Sequence, residues 1–491
     1  MHCGDSGSCP AATAPFLCSL CSRKNPGHER HRCLKDDALA HVADVIVQPR
    51  HKADVLRVAA AAARTRMPLV MRGAGTCNFG QGIPLAGGAM VDMTGLSRVL
   101  WQQPGSVRAE AGARLSHIDE ATRPLGWELR IHSSTKKVAT LGGFVGGGHA
   151  GVGSCEWGIL RDRGNILGLE VVSVEDEPRV VQLRGDDVNR VHHAYGSNGI
   201  ITEVEMPLAP AWPWREAVVV FPEFMTSVRF AHALSTSDGI PKKLVSVLGG
   251  PIWRMMRVLR PYGREGCEGM VLAMVAAPFI EAFHALVKEF GGQVTSEAPE
   301  SEAPYRIPLY EMSWGHTRLH VNREHPDVVS NVGLYLDPDL VGAIGRSHQR
   351  FSHLLGMHFE AKRFDGKLSF QGSPFFRYEG EQQLADVMRG MADDGAMVAN
   401  NHTFLVKEGG MKSLGGDDAA FKHAMDPLGL MNPGKLRFDA GAAQQSTGGA
   451  LPSAGWRFRG AAPEAIGATE ATDAADASEA ATTQSTEVSA A

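Results

Sequence analysis

Apolar positions along the chain change period several times, and the changes mark out its elements. Asp44 to Val47 is a short apolar run closed by Pro49, after which Val55, Val58, Ala59, Ala62 and Ala63 recur at helical spacing. A strand followed by an amphipathic helix is predicted. Pro68 to Arg72 predicts a second strand ending in a glycine loop, with further strands at Ala89 to Asp92 and Val107 to Ala111. Gly164 to Val174 and Arg179 to Leu183 predict paired strands around an acidic turn. Gly199 to Leu208 is the last strand before Pro207, Pro210 and Pro213, a cluster that reads as a domain boundary. Beyond it, Met270 to Ala277 predicts a buried strand, and Phe283, Leu286, Val287 and Phe290 share a helix face that Gly291 and Gly292 terminate. The alternation then repeats: Val328 to Leu336 as strand, Leu340 to Leu355 as helix, Phe364 to Phe370 as a hairpin turning at Asp365 and Gly366. Strand, helix, strand, taken twice, predicts an antiparallel sheet with helices on one face.

No period lasts through residues 1–37, an irregular leader rich in Cys, His and Arg. From Gly441 the chain turns to Ala, Thr, Ser, Gly and Glu, a composition that cannot offset its ordering entropy and predicts a disordered tail over 441–491. At 491 residues the chain exceeds one hydrophobic core, which stops growing at roughly 250 to 300 residues, so two domains plus tails are expected. Lys plus Arg number 49 against 54 Asp plus Glu, which lacks the basic excess of a nucleic-acid binder and excludes that partner. The longest apolar stretches fall short of the roughly 18 to 20 residues that cross a bilayer. Pro10, Pro15, Ser19, Arg23 and Lys24 interrupt any secretory h-region, and a cytoplasmic location is expected. Five of the eight cysteines lie in the first 33 residues, unlike a disulfide scaffold. Cys18-x-x-Cys21 with His28, His31 and Cys33 offers zinc donors, but a second C-x-x-C is missing and no metal site is predicted.

The sharpest feature is the run from Arg72, Gly73, Ala74, Gly75, Thr76, Cys77 and Asn78 to Gly82, a tight glycine loop directly after a predicted strand. Glycines let consecutive backbone N–H groups converge on an anion, and Arg72, Thr76 and Asn78 add side-chain donors, so the loop has the character of a phosphate cradle. A Walker loop is excluded by the missing Gly-Lys-Ser/Thr ending. A second run, from Thr140 through Gly142, Gly143, Gly146, Gly147 and Gly148 to Gly151, formally contains G-x-G-x-x-G. No strand runs directly into it and no amphipathic helix continues from it, which argues against a nicotinamide-dinucleotide site. Two separated glycine loops fit one extended diphosphate and its ring system threading between two subdomains.

Several ordered blocks resemble the flavin-binding module of the vanillyl-alcohol-oxidase and p-cresol-methylhydroxylase (PCMH) family. They are Val45 to Pro49 with its helix, Pro68 to Thr76, Val91 to Val99, Val107 to Ala113, the Thr140 to Gly151 run, Gly168 to Val172 and Gly196 to Val204. Asp426 to Lys435 is similar to the family's C-terminal segment that returns to the flavin domain. The resemblance implies an α+β fold: a two-subdomain PCMH-type FAD-binding domain over 38–210, a ferredoxin-like α+β substrate (cap) domain over 211–400, and the returning segment over 401–440. It implies FAD, with the diphosphate over Arg72 to Asn78, the ring contacted by Thr140 to Gly148, the adenine side near Gly199, Ile200 and Ile201, and further contacts from Asn432 and Lys435. Some relatives tether the flavin through a histidine in the first loop or a cysteine before the second run. Thr76 and the pair Lys136 and Lys137 stand at those places here, so dissociable FAD is expected, with Cys77 the alternative tether.

Such a flavin accepts a hydride from a C–H bond, and the protein takes the hydroxyl proton with a base. His316, Arg318 and His320 alternate, so on a strand they share a face, presenting a base beside a guanidinium able to hold a carboxylate. His402 is a second candidate base, and Tyr310 and Glu311 are weaker ones. The His-x-Gly-Asp-Gly-Asn motif that the better-known hydroxy-acid dehydrogenases of this superfamily often carry in their second domain is absent, so D-lactate or glycolate is not the default substrate. The expected activity is oxidation of a CH–OH group, sugar-derived, aromatic or hydroxy-acid, with dioxygen or an electron carrier reoxidising the flavin. A flavin-binding scaffold without turnover is the alternative, and the oligomeric state stays open.

Overall fold

The computed structural model describes residues 41–436 apart from 78–79, 303–304 and 306. The Cys-rich leader and the Ala- and Thr-rich tail lie outside the described residues. Strands Val45–Val47, Ala89–Asp92 and Leu69–Arg72 form a parallel three-stranded sheet in that spatial order. Helix Lys52–Thr65 crosses between the first and the last of them, burying Val55, Ala59, Ala62 and Ala63 against the core, and Arg66 ends it in a left-handed conformation.

A second, antiparallel sheet follows, ordered Val99–Gln103, Ser106–Glu110, Ile200–Pro210, Gly168–Val172, Val180–Arg184, with Trp127–Leu129 on the far end of the long strand. Pro207 lies inside that long strand and Pro210 closes it. Both sheets share one apolar core, and Met425, Leu430 and Met431 from the end of the described chain pack into it.

Residues 214–399 build a nine-stranded sheet from two βαββαβ units, each with the strand order 4-1-3-2 of a ferredoxin-like fold. The first unit contributes strands Trp214–Phe221, Lys242–Gly249, Gly269–Ala276 and Gln293–Pro299. The second contributes Val332–Leu336, Met357–Phe364, Lys367–Arg377 and Met397–Ala399. The units join edge to edge where their second strands pair, Ser246 opposite Glu360, and Val328–Ser330 adds a short strand against Lys367–Arg377. The fold is thus α+β with two domains.

Helices Phe224–Thr236, Ile280–Glu289, Leu340–Arg350 and Glu381–Asp393 cover one face of this sheet, packing on Val219, Phe221, Val247, Val271, Ala273, Phe359 and Ala361. The alternate residues Val218, Val220, Leu244, Leu248, Leu272 and Met274 face a second core with Leu309, Tyr310 and Val321. Burial on both faces explains why Met270 to Ala276 reads as an uninterrupted apolar run. No helix among the described residues is long and apolar enough to cross a membrane.

Candidate active site

The two glycine runs are brought into contact. Strand Leu69–Arg72 ends in the turn of residues 73–77, and a Cβ on Gly73 would stand 2.1 Å from Thr140 Oγ1, a separation only glycine permits. The sequence predicts a loop over the second run; the structure makes it a short helix, Leu141–Gly147. Thr140 caps that helix by accepting from the Gly143 amide at 3.3 Å, and glycine at 142 lets the turn sit directly on Ala111. Cβ atoms on Gly146 and Gly147 would meet nothing within 4 Å, because both border a cavity of about 430 Å³.

That cavity is roofed by the cap. Of the residues expected to hold FAD, Arg72 to Cys77, Thr140, Gly142, Gly143, Gly146 to Gly148, Gly199 and Ile201 line it. Asn78 lies outside the described residues. Ile200, Asn432 and Lys435 stand behind the wall. The Asn432 side-chain amide donates to the carbonyls of Gln81 at 3.0 Å and Tyr195 at 2.6 Å, and Lys435 Nζ donates to the Gly80 carbonyl at 2.7 Å, so the returning segment braces the first loop. Burial lowers the Lys435 ammonium to about 7. Lys136, beside the second run, is committed to an ion pair with Asp119 at 2.5 Å.

His316 and Arg318 line the cavity from the cap, but not on the strand that their alternation predicts. They sit on helix Gly315–Asn322. Buried Thr317, Arg318 and His320 give this helix no apolar stripe to announce it. His316 Nδ1 and His320 Nε2, one helical turn apart, both donate to the Glu311 carbonyl at 3.1 Å. Burial lowers the His316 imidazole and takes that of His320 down to about 4. His402 lies behind the lining with Nε2 donating to the Ser330 carbonyl at 3.0 Å; burial, helped by the Arg318 charge, brings it to about 4. Tyr310 and Glu311 do not line the cavity, and burial raises the Tyr310 phenol.

Strand Met357–Phe364 supplies a row that the sequence reading missed. His358, Glu360 and Lys362 alternate onto its cavity side and are 6%, 2% and 1% exposed. Glu360 Oε1 accepts from His358 Nε2 at 2.7 Å, from Ser246 Oγ at 2.9 Å and from the Trp314 amide. Lys362 Nζ donates to His149 Nε2 at 2.9 Å, at the end of the second glycine run, and to Gln371 Oε1 at 2.6 Å. Burial lowers Lys362 to about 7 and, with the Lys362 charge beside it, holds the His149 imidazole well below its ordinary value. The available signal was His-x-Glu-x-Lys alternating with Met357, Phe359 and Ala361.

Buried polar atoms of the cavity residues Arg72 (Nε), Trp314 (Nε1), Asn331 (Oδ1 and Nδ2), Glu360 (Oε2) and Asn401 (Oδ1) have no hydrogen-bond partner among the described residues. Each such atom costs about 1 to 3 kcal/mol unless a ligand satisfies it. A guanidinium nitrogen beside an open glycine turn, with bare glycine backbone opposite, fits a diphosphate and a flat ring.

Residues 43–180 match the family described as FAD binding domain. The chain is 24% identical over 211 residues to glycolate oxidase subunit GlcD of Bacillus subtilis (strain 168), covering 41% of this chain and 44% of that protein. It is 28% identical over 177 residues to glycolate oxidase subunit GlcD of Escherichia coli (strain K12), covering 34% and 35%. It is 25% identical over 176 residues to D-lactate dehydrogenase of Archaeoglobus fulgidus, covering 34% and 39%. The chain therefore spans less than half the length of these relatives. A solved structure of alkyldihydroxyacetonephosphate synthase superposes with a TM-score of 0.60 at 15% identity, over 79% of this chain and 76% of that one. The likeness in fold thus extends past the first domain into the cap, and the cofactor of the first domain is FAD.

Proposed function

We propose that this chain, with its FAD-binding domain, is an oxidoreductase that removes a hydride from a CH–OH group of a small organic substrate. The observation that carries the reading is the shared cavity: glycine runs suited to a flavin on one wall, and a polar cap wall with unsatisfied buried atoms on the other. The matched relatives named as oxidase and dehydrogenase support it, and the order of the sequence blocks supports a flavin module of the vanillyl-alcohol-oxidase and p-cresol-methylhydroxylase kind.

The residues divide by role. Arg72 to Cys77 hold the diphosphate, Gly146 to Gly148 leave room for the ring, and Gly199 and Ile201 border the adenine side. When bound, FAD supplies a two-electron acceptor for the hydride. Arg318 orients the substrate by hydrogen bonds to an oxygen or carboxylate, and His316, whose Nδ1–H is held by the Glu311 carbonyl, presents Nε2 as an acceptor. Dioxygen or an electron carrier accepts the electrons afterwards.

The test is an absorption spectrum of the purified protein, with oxidised-flavin bands near ~370 and ~450 nm expected, followed by anaerobic addition of hydroxy acids, alditols and aromatic alcohols. Bleaching by one class supports the reading and names the substrate class. A flavin that none of them bleaches would sink it.

A further inference from the structure

We infer that Glu360 is the group that takes the substrate's hydroxyl proton, with His358 positioning it; the inference rests on the CH–OH oxidation proposed above. Among the described residues, Glu360 is the single carboxylate lining the cavity. Its two oxygens are in opposite situations. Oε1 is saturated by His358 Nε2, Ser246 Oγ and the Trp314 amide, which fix the plane of the carboxylate. Oε2 is buried without a partner among the described residues. A carboxylate oxygen left bare inside a protein is expensive, and here the missing partner is a ligand hydroxyl.

The setting is rigid as well as open. Glu360 lies opposite Ser246 on one side and Gln371 on the other, in the middle of the nine-stranded sheet where the two βαββαβ units join. His358 is held in turn, its Nε2 lying 3.2 Å from Thr317 Oγ1 and 3.3 Å from Ser246 Oγ. A base on a central strand with its neighbours locked is pre-organised in a way that a group on a short helix is not. The other titratable or charged groups at this end are His358 and Lys362 on the same strand, His316 and Arg318 on the helix, and His149 and Arg72 on the flavin side. In the reaction the alcohol O–H bond breaks with its proton passing to Glu360 Oε2. The electron pair of the C–H bond leaves as the hydride that the oxidised flavin of the proposed reaction would accept, and the C–O bond becomes a carbonyl.

His316 also offers an acceptor nitrogen, so the experiment compares the two in FAD-loaded protein. Wild type, E360Q, E360D and H316Q are given glycolate, D-lactate, xylitol and vanillyl alcohol without air. For a compound that bleaches the wild type, E360Q is expected to keep its flavin bands but reduce about 10²- to 10⁴-fold more slowly, with E360D recovering at least about tenfold of the loss and H316Q falling less than E360Q. The readout without turnover is the binding of that compound's analogue in which methyl groups replace every hydrogen on the reacting carbon, which keeps the hydroxyl but has no hydrogen to transfer from that carbon, followed by perturbation of flavin absorption. E360Q is expected to flatten the pH dependence of this binding, and H316Q to leave it.

Reduction of E360Q within about tenfold of wild type, or an unchanged pH dependence of analogue binding, would overturn the assignment while the proposed oxidation stood. Failure of every compound to bleach wild-type flavin would remove both. Should E360Q lose FAD, E360D decides: a displaced carboxylate is expected to slow reduction at least tenfold, and a wild-type rate would count against Glu360.

Discussion

Gly73 and Thr140 meet so closely that one methyl group should separate the two glycine runs. Gly73→Ala places a Cβ 2.1 Å from Thr140 Oγ1, and relieving that overlap is expected to cost about 1 to 3 kcal/mol of stability and about tenfold or more in FAD affinity. Thr140→Ala added to it should recover part of both losses although it removes a helix cap, a non-additivity that FAD titration and thermal melts of the single and double variants would show. Strict additivity would mean that the runs are not locked together. Lys362 is a second residue whose environment sets an outcome. Burial takes it from the usual 10.5 to about 7, so between those values the unfolded chain binds a proton that the folded one does not. Its contribution therefore makes stability rise with pH across that window and fall as pH drops towards 7. Lys362→Met should flatten this part of the slope, read as the difference between urea midpoints at pH 7 and pH 9; coincident slopes would mean that Lys362 is charged in the fold. Thr76 offers the flavin no imidazole for a covalent bond, which predicts that acid precipitation leaves FAD in the supernatant. A yellow pellet would point to Cys77, which lines the same cavity.

Strand Met357–Phe364 has two faces with separate duties. Phe359, fully buried under the cap helices, belongs to stability, and Phe359→Ala should cost about 3 to 5 kcal/mol by denaturant titration while the flavin spectrum stays unchanged. A shifted or weakened flavin spectrum would show that the two faces are coupled. The same strand explains what the sequence could and could not reveal. Elements buried on both faces, such as Gly269–Ala276, and turns requiring positive φ, such as Asp365 with Gly366, were legible because apolar runs and glycine have few other uses. The first glycine run was legible for the same reason, whereas the second, expected as a loop, forms the helix Leu141–Gly147. Helix Gly315–Asn322 was not, because its buried positions are Thr317, Arg318, His320 and Val321, and a mostly polar set has no apolar period to read. His358, Glu360 and Lys362 alternate with apolar neighbours, which is also the pattern of a strand with one wet face. Only the second glycine run and helix Gly315–Asn322, far apart in sequence, turn that face into a site wall.

At the scale of the whole molecule, the site belongs to neither domain alone. Arg72 and Gly148 come from the first domain and Glu360, Arg318 and Asn331 from the cap, while the returning segment ties its end back to the first sheet. Asn432 N donates to the Leu69 carbonyl at 2.6 Å, and Leu69 N to the Leu430 carbonyl at 2.8 Å. A ligand that binds only the folded form stabilises it by RT ln(1 + [L]/Kd), about 2.7 kcal/mol at a hundredfold excess over Kd. FAD seated between both walls should raise the unfolding of both domains together, so calorimetry of the stripped protein with added FAD is expected to show all of its transitions moving upward. Weakening the tie with Asn432→Ala removes donors to the Gln81 and Tyr195 carbonyls and should diminish that shift without changing the secondary structure. If FAD moved one transition and left a second in place, the cap would be folding independently of the flavin. The cavity would then be a crevice between two autonomous domains, and Glu360 would owe its position to the sheet alone.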